Sequence, residues 1–150
     1  MDKLSQMIQA EFENIEAIFS EMPPSSSLPY LSTLELAGVA AFLHNFYNAI
    51  ENILKQILFS QQIFLTEGKS WHKDLVEAVS KKNIISENCK NNLGQYLAFR
   101  HFFSHAYALD LYPDKMEPLV ENSKMVYNLF KQEILAFLAT KNTNNQDNNR

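Results

Sequence analysis

An all-α fold, an up-and-down bundle of about five helices, is what this sequence predicts, and three observations predict it. Apolar residues recur at helical spacing nearly throughout, strand-like alternation is hard to find, and three glycines and five prolines leave few breaks in 150 residues.

The elements follow in order. Leu4, Ile8, Phe12, Ile15 and Phe19 make the stripe of a first helix. The run MPPSSSLPY ends it, since proline removes a donor and restricts its predecessor. Ser32 and Glu35 have the spacing of a capping box, which starts a long second helix through LELAGVAAFLHNFYNAIENILKQILF. TEGKS closes that helix, and Ser70 stands where it caps a short one, WHKDLVEAVSKK. NIIS turns the chain, and Ser86 caps the helix that carries RHFFSHAY, residues 100–107. DLYPDKMEP is the next break. A final helix over about residues 117–139 packs through Leu119, Val126, Leu129, Phe130, Ile134 and Phe137. One domain, residues 1–140, is expected, followed by a disordered polar tail, KNTNNQDNNR, over 141–150.

The length suffices to bury a core without metal or disulfide. A single cysteine, Cys89, cannot form an internal bridge; with no secretory leader evident, a reducing cytoplasmic setting is expected. No apolar run reaches the roughly 18 residues of a membrane span. The net charge of −4 argues against a general nucleic-acid coat protein. Charge is uneven, however. Residues 1–21 carry Asp2, Glu11, Glu13, Glu16 and Glu21 against Lys3, whereas residues 69–90 carry Lys69, Lys73, Lys81, Lys82 and Lys90 against Asp74, Glu77 and Glu87. The basic stretch runs into the helix bearing Arg100.

RHFFSHAY concentrates Arg100, His101, Ser104, His105 and Tyr107 in a chain whose only other arginine is Arg150. At about 100° per residue, with Arg100 at zero, Tyr107 falls near −20°, Ser104 near +40°, His101 near +100° and His105 near +140°. Phe99, Phe102, Phe103, Ala106 and Leu109 fall on the other side, so an apolar back and a polar front are expected. His101 and His105 have the spacing of helical zinc ligands, but Phe102 stands where the glutamate would follow, and Asp110 projects off the polar face; no metal is expected. Ser104 lacks the strained turn and oxyanion hole of a nucleophilic serine. Metal-free phosphodiester chemistry fits better. A 2′-hydroxyl attacks its neighbouring phosphate when histidine moves the protons and arginine holds the charge. One chain offers a thin site; two across a symmetric dimer offer an acid, a base and a clamp. The residues alone leave open an alternative in which Arg100 pairs with a surface carboxylate and both histidines pack.

The spacing Arg100, four residues, His105, one residue, Tyr107 resembles the signature of HepT-type toxins of the HEPN superfamily of ribonucleases. A polar residue directly after the arginine, here His101, and the setting YLAFRHFFSHAY near the start of the last third of a helical chain strengthen the likeness. ELAGVAAFLHNFYNAIENILK and WHKDLV are also similar to the family, so the resemblance spans about residues 30–138. It implies a homodimeric, metal-independent endoribonuclease of a type VII toxin–antitoxin pair, cutting tRNA or mRNA without a cofactor. Arg100, His105 and His101 would be catalytic. The partner would be an MNT-type nucleotidyltransferase antitoxin that silences the nuclease by transferring AMP to Tyr107. In such proteins the polar side of a long helix lies near the motif helix, which makes Asn48 and Glu51, with Asn45 beside them, supporting residues, unless they form ordinary interhelical hydrogen bonds. His44 and His72 are expected to cap or pack. The other reading is a non-catalytic helical subunit that binds or activates a nucleotidyltransferase.

Overall fold

A computed structural model describes residues 2–66, 68, 70–106 and 110–148, and the side chains of these except 145 and 146. Among the described residues five α-helices and a 3-10 helix follow one another: α1 (Lys3–Glu21), the 3-10 helix (Ser25–Tyr30), α2 (Thr33–Ser60), α3 (Trp71–Lys81), α4 (Glu87–His105) and α5 (Pro113–Asp147). No strand occurs among the described residues, so the chain is the all-α bundle its periodicity predicts. The proline-rich break is not plain coil, because three serines and Leu28 wind one 3-10 segment whose Leu28 is fully buried.

The helix starts obey local chemistry. Asp2 accepts from the Ser5 N–H at 2.7 Å, and this hydrogen bond holds its carboxyl below the usual range. The Ser32 capping box forms in both directions, Glu35 N–H to Ser32 Oγ at 3.1 Å and Ser32 N–H to Glu35 Oε1 at 3.0 Å. Ser86 caps α4 by accepting from the Cys89 N–H at 3.0 Å, and Glu133 of α5 takes the Ser86 hydroxyl at 2.8 Å. Ser70 departs from expectation: its hydroxyl donates to the Asp74 carboxylate at 3.1 Å and makes no side-chain cap, since an acid in the first turn competes for it.

Two ends are left-handed. Gln62 (φ 59°) and Asn83 (φ 58°) close α2 and α3. After Gln62, the Ile63 N–H returns to the Leu58 carbonyl and the Gln62 N–H to Phe59, both at 3.0 Å, the paired bonds of a Schellman ending.

α4 ends at His105, where Ala106 turns extended, so the helical count cannot be carried on to residue 107. The last helix begins earlier than its apolar pattern, at Pro113, because proline suits the first helical position. It also runs through Asp147 into the polar stretch for which composition predicts disorder. Propagating a formed helix by a few residues costs little, and Lys141 there donates to Ser60 Oγ at 3.2 Å.

α2 is the central element, packed against α1, α3, α4 and α5. One of its faces is aromatic, packed on rings from α1 and α4, with Tyr127 of α5 joining the cluster. Phe46 meets Tyr96 edge-on at 5.3 Å, Phe19 lies 5.4 Å from both Phe46 and Tyr127, and Phe12 meets Tyr127 at 6.0 Å. The Tyr96 hydroxyl reaches the Leu119 carbonyl at 2.7 Å, tying α4 to α5. No described helix is long and apolar enough to cross a membrane.

Candidate functional site

Along α2 the apolar pattern is interrupted by His44, Asn48, Glu51 and Lys55, spaced four, three and four residues apart. That spacing sets them on one line of the helix. The line faces α3 and α4. Glu51 is 2% exposed, and it is the only buried charged side chain among the described residues. A carboxylate in that position is costly unless paired and hydrogen-bonded.

Its partners come from two other helices. His72, at the start of α3, places Nδ1 2.7 Å from Glu51 Oε2. A carboxylate only accepts, so Nδ1 carries the hydrogen and donates it. Arg100, from the last third of α4, places Nε 3.4 Å from Glu51 Oε1 and donates from the same nitrogen to Asn48 Oδ1 at 3.1 Å. Because Asn48 Oδ1 accepts from Arg100, its Nδ2 is the end that faces His44 Nδ1 at 3.3 Å. His44 Nδ1 must then be the acceptor, which requires an unprotonated nitrogen there. Burial, and then the nearby Arg100 charge, lower the His44 pKa, in agreement with that assignment. The chain of contacts runs His44–Asn48–Arg100–Glu51–His72 across three helices.

Arg100 therefore points inward. It continues the buried line Cys89, Leu93, Tyr96 of α4, whose spacing of four, three and four residues leads to position 100 and then to Phe103. The expected apolar back is only partly so: Phe102 is 44% exposed, while Phe103 packs on His44 at 5.3 Å. The difference has a physical cause. α4 is apolar on more than one side, and the buried carboxylate of Glu51, invisible to a count along α4 alone, decides which side turns in.

His101 and His105 are exposed, and their rings meet edge-on at 4.9 Å. With Phe102, Ala106, Asp110 and Tyr112 they line an open depression of about 390 Å³. Asp110, projected away from the histidines by a continuous helix, lies with them because α4 has already ended. The Ser104 hydroxyl donates to the Arg100 carbonyl at 2.9 Å. No cluster with the makings of a metal site occurs among the described residues.

Of the residues singled out from sequence, Arg100, Asn48 and Glu51 come together, and His101 and His105 come together. Neither histidine bonds to Arg100 among the described residues, which follows from the 140° or so between positions 100 and 105 on a helix. Asn45 is exposed beside His44, where its side-chain hydrogen bond opposes the lowering of the His44 pKa. Tyr107 lies outside the described residues. His72 and His44, expected to cap or pack, are members of the polar network. For His44, the periodic polar line in α2 was the available signal; for His72, on another helix, there was none.

A family model described as HepT-like protein matches residues 38–141, well over half the chain. The chain belongs to the HepT-like family. The match spans α2 from its second turn to within two turns of the end of α5, and so includes every member of the polar network and both exposed histidines. No curated protein and no solved structure matches the chain. Membership makes this a HepT-like protein of the HEPN superfamily, whose members are in general ribonucleases, with an all-α bundle of the corresponding kind.

Proposed function

We propose that this HepT-like chain is the toxin of a two-component pair: a metal-independent endoribonuclease, acting as a homodimer, that a partner nucleotidyltransferase silences by transferring AMP to Tyr107. One observation carries the reading. Arg100 is held through Nε alone, by Asn48 and Glu51, and neither terminal nitrogen has a hydrogen-bond partner among the described residues. A guanidinium anchored at its root with its fork open is arranged to grip the two free oxygens of a phosphodiester.

The chemistry follows from the residues. A ribose 2′-oxygen attacks the adjacent phosphorus and loses its proton to a base. The P–O5′ bond breaks, and the leaving 5′-oxygen gains a proton from an acid. The products are a 2′,3′-cyclic phosphate and a 5′-hydroxyl. Histidine moves protons near neutral pH, and His105, exposed at the end of the Arg100 helix with His101 against it, is assigned that work. Arg100 stabilises the charge gathering on the phosphate oxygens. Since Arg100 and His105 of one chain diverge, a second copy whose His105 faces this chain's Arg100 completes the pair. Lys73 and Lys90, which border a shallow pocket between α3 and α4, are suited to the RNA approach.

Purified protein should cleave RNA in EDTA and leave those ends. Arg100→Ala and His105→Ala should each lose about 100-fold or more. Full activity in either variant, or strict dependence on added divalent metal, refutes the mechanism. Mixing the two inactive variants should restore part of the activity through mixed dimers. Co-expression with the partner nucleotidyltransferase and ATP should add whole AMP units at Tyr107 and abolish cleavage, while Tyr107→Phe, if active alone, should escape. An adduct mapped elsewhere removes that assignment. A chain that only binds or activates the nucleotidyltransferase would show no cleavage at all.

A further inference from the structure

We infer that His72 is a positioning residue for Arg100, acting through Glu51 to keep the arginine's terminal fork open. The inference rests on the ribonuclease reading above for its purpose, though its geometry stands apart from it.

Arginine and a carboxylate left to themselves prefer to pair through two parallel N–H···O bonds, which uses both carboxylate oxygens and part of the fork. Glu51 is close enough to Arg100 to do this, and it is buried, so the incentive is large. It does not, because Oε2 is already taken by His72 Nδ1 at 2.7 Å, shorter than the 3.4 Å from Oε1 to Arg100 Nε. The tighter bond sets the plane of the carboxylate, and Arg100 receives a single, side-on contact at Nε. Asn48 Oδ1 takes the same Nε at 3.1 Å and reinforces the orientation.

The imidazole is itself fixed. Its ring lies 4.1 Å from that of Trp71, and Lys55 of α2 sits 4.1 Å over the indole. Leu75, Val76 and Val79 are buried and seat α3 in the core. Glu51 is thus held from a helix that carries none of the motif, and loss of His72 would free it to turn about its last torsion and close on the fork.

Two variants separate positioning from other roles. Asparagine presents an amide N–H near the place of Nδ1 and cannot move protons, whereas leucine keeps comparable bulk and cannot donate. His72→Asn should cleave RNA within about threefold of wild type. His72→Leu should lose about tenfold or more, mainly in kcat, because the fork serves the transition state. In an Arg100→Ala background, His72→Leu should cost nothing further, as expected of a residue that works through Arg100. Equal losses in both backgrounds, or a His72→Asn variant as impaired as His72→Leu, overturn the proposal.

A second measurement is independent of cleavage. With Arg150 the only other arginine, the Arg100 Nε–H signal in a ¹⁵N spectrum is assignable by its absence from Arg100→Ala. It should be protected from solvent exchange in wild type and His72→Asn, and shifted with faster exchange in His72→Leu. If wild type cleaves no RNA while this pattern holds, the ribonuclease reading fails and the positioning stands; an unchanged signal in His72→Leu refutes the positioning whatever the RNA assay gives.

Discussion

The two sides of α2 solve opposite problems with one helix. On one side it presents Leu43, Phe46 and Ile50, each no more than 1% exposed, with the Phe46 ring packed between Phe19 of α1 and Tyr96 of α4. Toward α3 and α4 it presents His44, Asn48 and Glu51, whose partners are charged or polar. The dry side gains free energy in proportion to area removed from water. The polar side gains little net energy, because desolvating Glu51 offsets most of its pairing. What it obtains is orientation: an arginine pointed, by named bonds, in one direction. Stability and function thus lie about a third of a turn apart around the same helix, and substitutions on the two sides should separate in what they damage.

The largest expected effect is on the dry side. Phe46→Ala should cost about 3–5 kcal/mol of folding stability, measured by urea denaturation, because the ring is fully buried between Phe19 and Tyr96. Residual folded protein should keep its Arg100 geometry; a selective loss of activity at full stability would break the contrast.

Arg100→Lys tests the polar side. It keeps the charge but loses the Nε anchor and the fork, so cleavage should fall about 10- to 100-fold, less than in Arg100→Ala. Stability should drop by no more than about 1–2 kcal/mol, since the ammonium still lies near Glu51. A larger stability loss with little change in cleavage would make the network structural.

A smaller effect is pH-dependent. His44 accepts a hydrogen bond with an unprotonated Nδ1, and burial lowers its pKa from the ordinary 6.5. Above that value the group is neutral folded and unfolded and imposes no penalty. As pH falls from about 6.5 toward the lower folded value, the unfolded chain binds a proton that the folded one does not, so stability declines through that window. Chemical denaturation from pH 7.5 to 5 should show this slope, and His44→Gln should flatten it. A slope that His44→Gln leaves unchanged would assign it to other groups.

The smallest effect concerns Tyr47, on the border between the two sides. Its hydroxyl is buried without a hydrogen-bond partner among the described residues, and burial with the neighbouring Glu51 charge pushes its pKa far upward. An orphaned hydroxyl opposes folding. Tyr47→Phe should therefore leave stability unchanged or raise it by about 0.5–1 kcal/mol in a thermal melt, with cleavage intact. A loss of stability would mean that the hydroxyl has a partner.

Legible along the chain were the all-α class, the capping box at Ser32 and Glu35, the cap at Ser86, and the core line of α1. Each depends on residues within a turn or two of one another, and such spacing is written along the chain. The sequence also brought out Arg100, His101 and His105 as a cluster, and Asn48 and Glu51 as neighbours on one helix face. Tertiary structure alone decided which way Arg100 points. It also decided that α4 stops at His105, and that His72, 21 positions from Glu51, closes the network. A helical count gives angles about one axis; it says nothing of what stands opposite. The direction of a long cationic side chain is set by the nearest buried charge, and here that charge sits on another helix.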